Sequence, residues 1–86
     1  MSEFEQAQID VHTLSKKPAN EHLLVLYSHF KQATVGDVRG SRPGILMVTK
    51  RLKYDAWTKL RGMSREDAEA GYIAKVKSLL RADGKL

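Results

Sequence analysis

Tyr27 and Lys31 stand four residues apart within the stretch Leu23 to Asp37. On a helix that spacing places one side chain above the other, so a phenolic hydroxyl and an ammonium share an edge. Such a pair can grip an anion through charge-assisted hydrogen bonds. The same stretch carries Leu23, Leu26, Tyr27, Phe30, Ala33 and Thr34 at intervals of three and four, the pattern of an amphipathic helix with its apolar stripe turned inward. A tyrosine edging a core beside a solvated lysine fits that spacing equally well. Lys53 and Trp57 repeat the arrangement farther along, a cation one turn before an aromatic. A lysine so placed either snorkels past the core or points into a groove.

Little else is arranged for catalysis. His12, His22 and His29 lack a compact ligand spacing, no His-Glu-x-x-His occurs and there is no cysteine, so the histidines read as surface side chains and no metal is expected. The chain has no Gly-x-Ser-x-Gly elbow, and its loop glycines match neither a P-loop nor a dinucleotide fingerprint. The carboxylates sit mainly at helix starts and on exposed faces. No paired acid and base stands out for catalysis, and no cofactor is expected.

The elements that must position Tyr27, Lys31 and Lys53 are helices. Ser2 and Glu5 form a Ser-x-x-Glu capping box, and Phe4, Ala7, Val11 and Leu14 continue a first helix to about Ser15, where Lys16, Lys17 and Pro18 stop it. His12 points away from that stripe. Asn20 is the expected N-cap of a second helix running to about Thr34, with Gly36 as its stop. Turn signals fill Gly36 to Thr49, and the apolar run Ile45 to Val48 within it reads as a plug pinning a long loop to the core. Lys53, Ala56, Trp57 and Leu60 mark a third helix from about Lys50 to a stop at Gly62. Ser64 and Asp67 start a fourth, with Tyr72, Ile73, Val76, Leu79 and Leu80 as its stripe to about Arg81. The fold class is all-α, four helices with one long crossover that lets the second and third run parallel.

A chain of 86 residues, 42% hydrophobic and 29% charged, has the length and composition of one soluble globular domain spanning 1–86. No apolar run reaches the roughly 18 residues of a membrane span, no signal peptide is recognisable and cysteine is absent, so a soluble cytoplasmic protein is expected, and nothing in the pattern requires more than a monomer. Net charge is +5, but residues 31–65 alone carry +7, against −2 in residues 1–30 and zero in 66–86. That asymmetry calls for an anionic partner. A small basic nucleic-acid-binding module is one alternative, with Tyr54 and Trp57 as its aromatics. Against it, a helix-turn-helix needs a turn of about 3 to 4 residues, not the loop from Gly36 to Thr49.

Several motifs in order carry a family resemblance. Tyr27-Ser-His-Phe-Lys-Gln-Ala-Thr-Val-Gly-Asp37, Arg42-Pro-Gly44, Lys53-Tyr-Asp-Ala-Trp57, Leu60 to Gly62, Ser64 to Ala68 and Tyr72-Ile-x-Lys-Val76 closely resemble the acyl-CoA-binding protein family over nearly the whole chain. The resemblance implies a four-helix bundle with up-down-down-up topology and a non-catalytic carrier of medium- to long-chain acyl-CoA, with no specific nucleic acid. Transient contact with lipid-metabolic enzymes or membranes is a further expectation. It implies Tyr27, Lys31 and Lys53 at the ribose 3′-phosphate and Phe30 and Tyr72 near the nucleotide, with His12, Ser28 and His29 completing the ligand set. Leu23, Leu24 and Leu52 are the expected walls of the acyl groove. Three single positions and one four-residue segment depart from the family pattern. His12 stands where a lysine is frequent, Phe30 where a tyrosine is, and Tyr54 where a tryptophan is, while Met47-Val48-Thr49-Lys50 replaces Asp-Phe-Lys-Gly. Lys50 and Arg51 are the neighbours that could substitute for the lysine missing at Thr49.

Overall fold

Two serines start two of the helices. The Ser2 hydroxyl accepts the Glu5 amide at 3.1 Å and the Glu5 carboxylate accepts the Ser2 amide at 3.0 Å, so the capping box closes in both directions. Ser64 accepts the Asp67 amide at 3.1 Å. In the computed structural model, which describes residues 1–86, the helices are α1 (Glu3–Asp10), α2 (Asn20–Thr34), α3 (Val48–Thr58) and α4 (Arg65–Ala82), and no strand is present.

Side-chain pairings set the helix directions. Tyr27 meets Lys53 and Lys31 meets Trp57, so α2 and α3 run parallel. His29 lies against Gly71 while His22 receives a hydrogen bond from Lys75, so α4 runs antiparallel to α2. Phe4 packs on Tyr72 and Ser15 bonds Asp83, which aligns α1 with α4. The topology is up-down-down-up, as the resemblance implied.

The core belongs to three helices. Phe4 and Ala7 of α1, Leu26 and Ala33 of α2, and Ala68, Tyr72, Val76 and Leu80 of α4 are buried together, matching the stripes read from spacing. Helix α3 packs on α2 alone. It is tied there by Trp57, whose indole N–H donates to the Gly36 carbonyl at 2.8 Å. Gly36 can offer that carbonyl because its φ of +96° turns the chain out of α2 while its amide still donates to the carbonyls of Lys31 and Gln32.

Four details differ from the sequence reading. The first α-helix ends at Asp10 and tightens into a 3-10 turn, Val11–Thr13, because the Thr13 hydroxyl donates to the Asp10 carbonyl at 2.7 Å. Ala19, not Asn20, is the N-cap of α2, since the amides of His22 and Leu23 already bond the Ala19 carbonyl. Helix α3 begins at Val48 and ends at Thr58, with Gly62 lying in the following turn. The run Ile45 to Val48 is no plug: Leu46 is 93% exposed, because α3 leaves no core for it to enter. Polar anchors hold the crossover instead. Asp37 accepts the Gly62 amide and Gln32 side chain, each at 2.8 Å, the Tyr54 hydroxyl donates to the Gly40 carbonyl at 2.9 Å, and Arg42 forks onto Asp55 at 2.8 and 2.7 Å.

Candidate ligand-binding site

The parallel run of α2 and α3 brings two lysines and two aromatics to one opening. Lys53 Nζ lies 5.2 Å from the centre of the Tyr27 ring and Lys31 Nζ 5.1 Å from that of Trp57. Each ammonium is held by the negative face of an aromatic on the neighbouring helix. Neither has a carboxylate partner. The one acid nearby, Asp55, is engaged by Arg42, whose guanidinium holds that carboxyl below its ordinary range. The opening keeps uncompensated positive charge beside hydroxyls, the setting for an oxyanion. Its cavity, of about 360 Å³, is lined by Tyr27, Pro43, Lys50, Lys53, Tyr54 and Trp57, and Lys31 meets that lining through Trp57.

A second cavity of about 350 Å³ adjoins through Lys53. Leu23 and Leu24 from α2 face Thr49 and Leu52 from α3 across it, with Lys17 also in its lining. All three leucines expected to wall an apolar groove are therefore gathered in one. Leu52 and Lys53, adjacent on α3, put the apolar and cationic halves side by side.

The structure does not bring the remaining expected residues to this opening. Ser28 is buried and its hydroxyl donates to the Val25 carbonyl at 3.1 Å. His29, read as a surface histidine, instead packs its ring on Gly71 at the contact of α2 with α4, and Nδ1 lies 2.8 Å from the Val25 carbonyl, which requires the proton on Nδ1. His22 likewise is engaged, by Lys75 at 3.1 Å. Phe30 and Tyr72 join Phe4 in an aromatic trio with centroids 5.2 to 6.3 Å apart. Burial of Tyr72 raises its phenol above the ordinary range. His12 is exposed on the 3-10 turn, which packs on α1 and α4. No group of three His, Asp or Glu side chains gathers where a metal ion could sit.

The family described as acyl CoA binding protein matches residues 1–76. This chain belongs to the acyl-CoA-binding protein family. It is similar to the acyl-CoA-binding protein of Gossypium hirsutum, 46% identical over 82 residues that make up 95% of this chain and 92% of that one. It is 47% identical to the acyl-CoA-binding protein of Brassica napus over 81 residues, 94% and 88% of the two chains. Its fold superimposes on the crystal structure of Oryza sativa acyl-CoA-binding protein 2 with a TM-score of 0.90 and 46% identity, covering 95% of this chain and 89% of that one. Among acyl-CoA-binding proteins a four-helix bundle is the shared architecture, and this chain has it.

Pro43 and Trp57 line the cationic cavity although spacing had assigned Trp57 to a core stripe and Pro43 only to a turn. The i, i+4 pair Lys53 and Trp57 and the pair Lys50 and Tyr54 were the available signals. Thr49, where the family pattern has lysine, faces the leucine groove, whereas Lys50 lines the cationic cavity beside Lys53.

Proposed function

We propose that this chain binds medium- to long-chain acyl-CoA esters and serves as an intracellular carrier and pool former for them. One observation carries the reading: Lys53 belongs at once to a cavity with free ammoniums and to a groove walled by leucines. A ligand that joins a phosphate-rich headgroup to an alkyl chain fits both halves. Tyr27, Lys31 and Lys53 converge on the ribose 3′-phosphate, where bonds from charged donors outweigh neutral ones. Lys50 takes the part of the lysine absent at Thr49. Phe30 and Tyr72, with His12, Ser28 and His29, shape the bundle beside the nucleotide rather than charge it.

The acyl chain lies along Leu23, Leu24 and Leu52, each methylene withdrawn from water contributing at most ~0.8 kcal/mol. Affinity therefore rises with chain length until the groove ends. No helix of the chain is long and apolar enough to cross a membrane. A cytoplasmic monomer that hands its ligand to lipid-metabolic enzymes accords with this reading. A nucleic-acid role has no comparable support, since segment 35–47 is too long for a helix-turn-helix.

Isothermal titration with palmitoyl-CoA, free CoA and free palmitate, read beside Trp57 fluorescence, tests the proposal. Tight one-to-one binding of the ester with much weaker binding of either fragment is expected. Equal affinity for free CoA and its ester would remove the leucine groove from the account.

A further inference from the structure

Ile45, Leu46, Met47 and Val48 form an unbroken apolar run on the outside of the molecule, with Ile45 76%, Leu46 93% and Val48 62% exposed and Leu52, one turn on, 49%. Single exposed leucines are ordinary, but four consecutive apolar side chains in the open mark an interaction surface. The run has a defined shape. The Met47 amide donates to the Gly44 carbonyl and the Arg51 amide to the Met47 carbonyl, both at 2.9 Å, while Arg42 and Tyr54 anchor the loop ahead of it.

Cations back the run on its helical side. Lys50, Arg51 and Lys53 follow on α3 and none forms an ion pair. Lys17 joins Leu52 and Lys53 in the lining of the leucine groove. Residues 38–54 contain no acidic side chain, and Asp55, just beyond, is taken by Arg42. A second copy of this chain would bring the same cations together, and a nucleic acid would leave the apolar side chains in water. An anionic bilayer satisfies both halves, with apolar side chains below the headgroups and basic ones at the phosphates.

We propose that Ile45, Leu46, Met47 and Val48, with Leu52, form a docking surface for anionic phospholipid bilayers, steered by Lys50, Arg51 and Lys53. Docking here sets the groove of Leu23, Leu24 and Leu52 beside the bilayer, so an acyl chain can pass between them with little exposure to water. That last step rests on the acyl-CoA reading; docking itself does not.

Sedimentation with vesicles of phosphatidylcholine alone, and of equal parts phosphatidylcholine and phosphatidylserine, tests the surface. Wild-type protein is expected to sediment with the anionic vesicles only, and less as salt rises. The double variant Ile45→Gln/Leu46→Gln is expected to bind those vesicles about tenfold more weakly. Both positions face solvent and line neither cavity, so melting temperature and palmitoyl-CoA affinity in vesicle-free buffer should match wild type. That titration reports on the carrier reading separately. Wild-type protein left in solution, or a double variant that sediments equally well, overturns the docking surface. A dimer in light scattering that the double variant abolishes, with no vesicle capture, also overturns it and gives the run to a second copy.

Discussion

The Lys53 ammonium lies 5.2 Å from the centre of the Tyr27 ring on the neighbouring helix, and no carboxylate competes for it. Lys31 has the same relation to Trp57. At exposed sites such contacts are worth only ~0.5–1 kcal/mol, so a phosphate dianion can draw both ammoniums off their rings.

Loss of either charge should therefore show in binding and hardly at all in folding. A hydrogen bond to a charged group contributes ~1.5–3 kcal/mol, so Lys31→Ala and Lys53→Ala are each expected to weaken palmitoyl-CoA binding about tenfold to a hundredfold. Tyr27→Phe removes one hydroxyl and should cost about tenfold or less. Titration calorimetry at physiological salt checks the order. Wild-type affinity in either alanine variant would strike that lysine from the site.

Gly71 is expected to resist substitution although it sits inside α4. A Cβ there would press on the Cδ2–Nε2 edge of the His29 ring, whose Nδ1 is held by the Val25 carbonyl. Glycine to alanine inside a helix ordinarily gains ~0.5–1 kcal/mol. Overpacking costs ~1–3 kcal/mol, which outweighs that gain, so Gly71→Ala should lower the urea midpoint. Gly71→Ala in a His29→Ala background should not, and a double variant as destabilised as the single one would place the strain elsewhere.

What could be read from the sequence was what is local. Ser2 with Glu5 and Ser64 with Asp67 cap helices three residues away, so spacing suffices. Tyr27 and Lys31 share one helix, and their common edge follows from the i, i+4 rule. Their convergence with Lys53 needed the direction of α3, which the loop length permitted and the family resemblance supplied. Anchors across distance left no pattern: Trp57 reaches the Gly36 carbonyl and Asp37 the Gly62 amide, each more than twenty residues away. Ile45 to Val48 was misread because an apolar run announces burial only when a core face is left to receive it, and α3 packs on α2 alone.

Asp37 should make stability depend on pH at the acid end. The Gly62 amide, and then the Gln32 side chain, hold its carboxyl below the ordinary range. An unfolded aspartate titrates near ~3.9, so the contribution is complete above that value and is lost as pH falls through the lower folded one. Asp37→Asn should lower the urea midpoint by a constant amount at neutral pH, and the gap should close as pH falls through the lowered folded-state value. A gap that persists unchanged into acid would show that the side chain's shape, not its charge, holds the turn between α3 and α4.

His12 separates the free protein from the family pattern. Its imidazole is exposed on a turn that packs on α1 and α4, and it does not line the cavity of Lys50 and Lys53. If the bound state keeps that arrangement, His12→Ala should change palmitoyl-CoA affinity by less than about threefold, far less than either lysine variant. A ligand that draws the turn inward would instead meet the side chain at this position, and a full positive charge there would then tighten binding. His12→Lys discriminates between the two. Tighter palmitoyl-CoA binding by His12→Lys brings the turn to the phosphates. Wild-type affinity in that variant leaves the phosphate grip to Tyr27, Lys31 and Lys53.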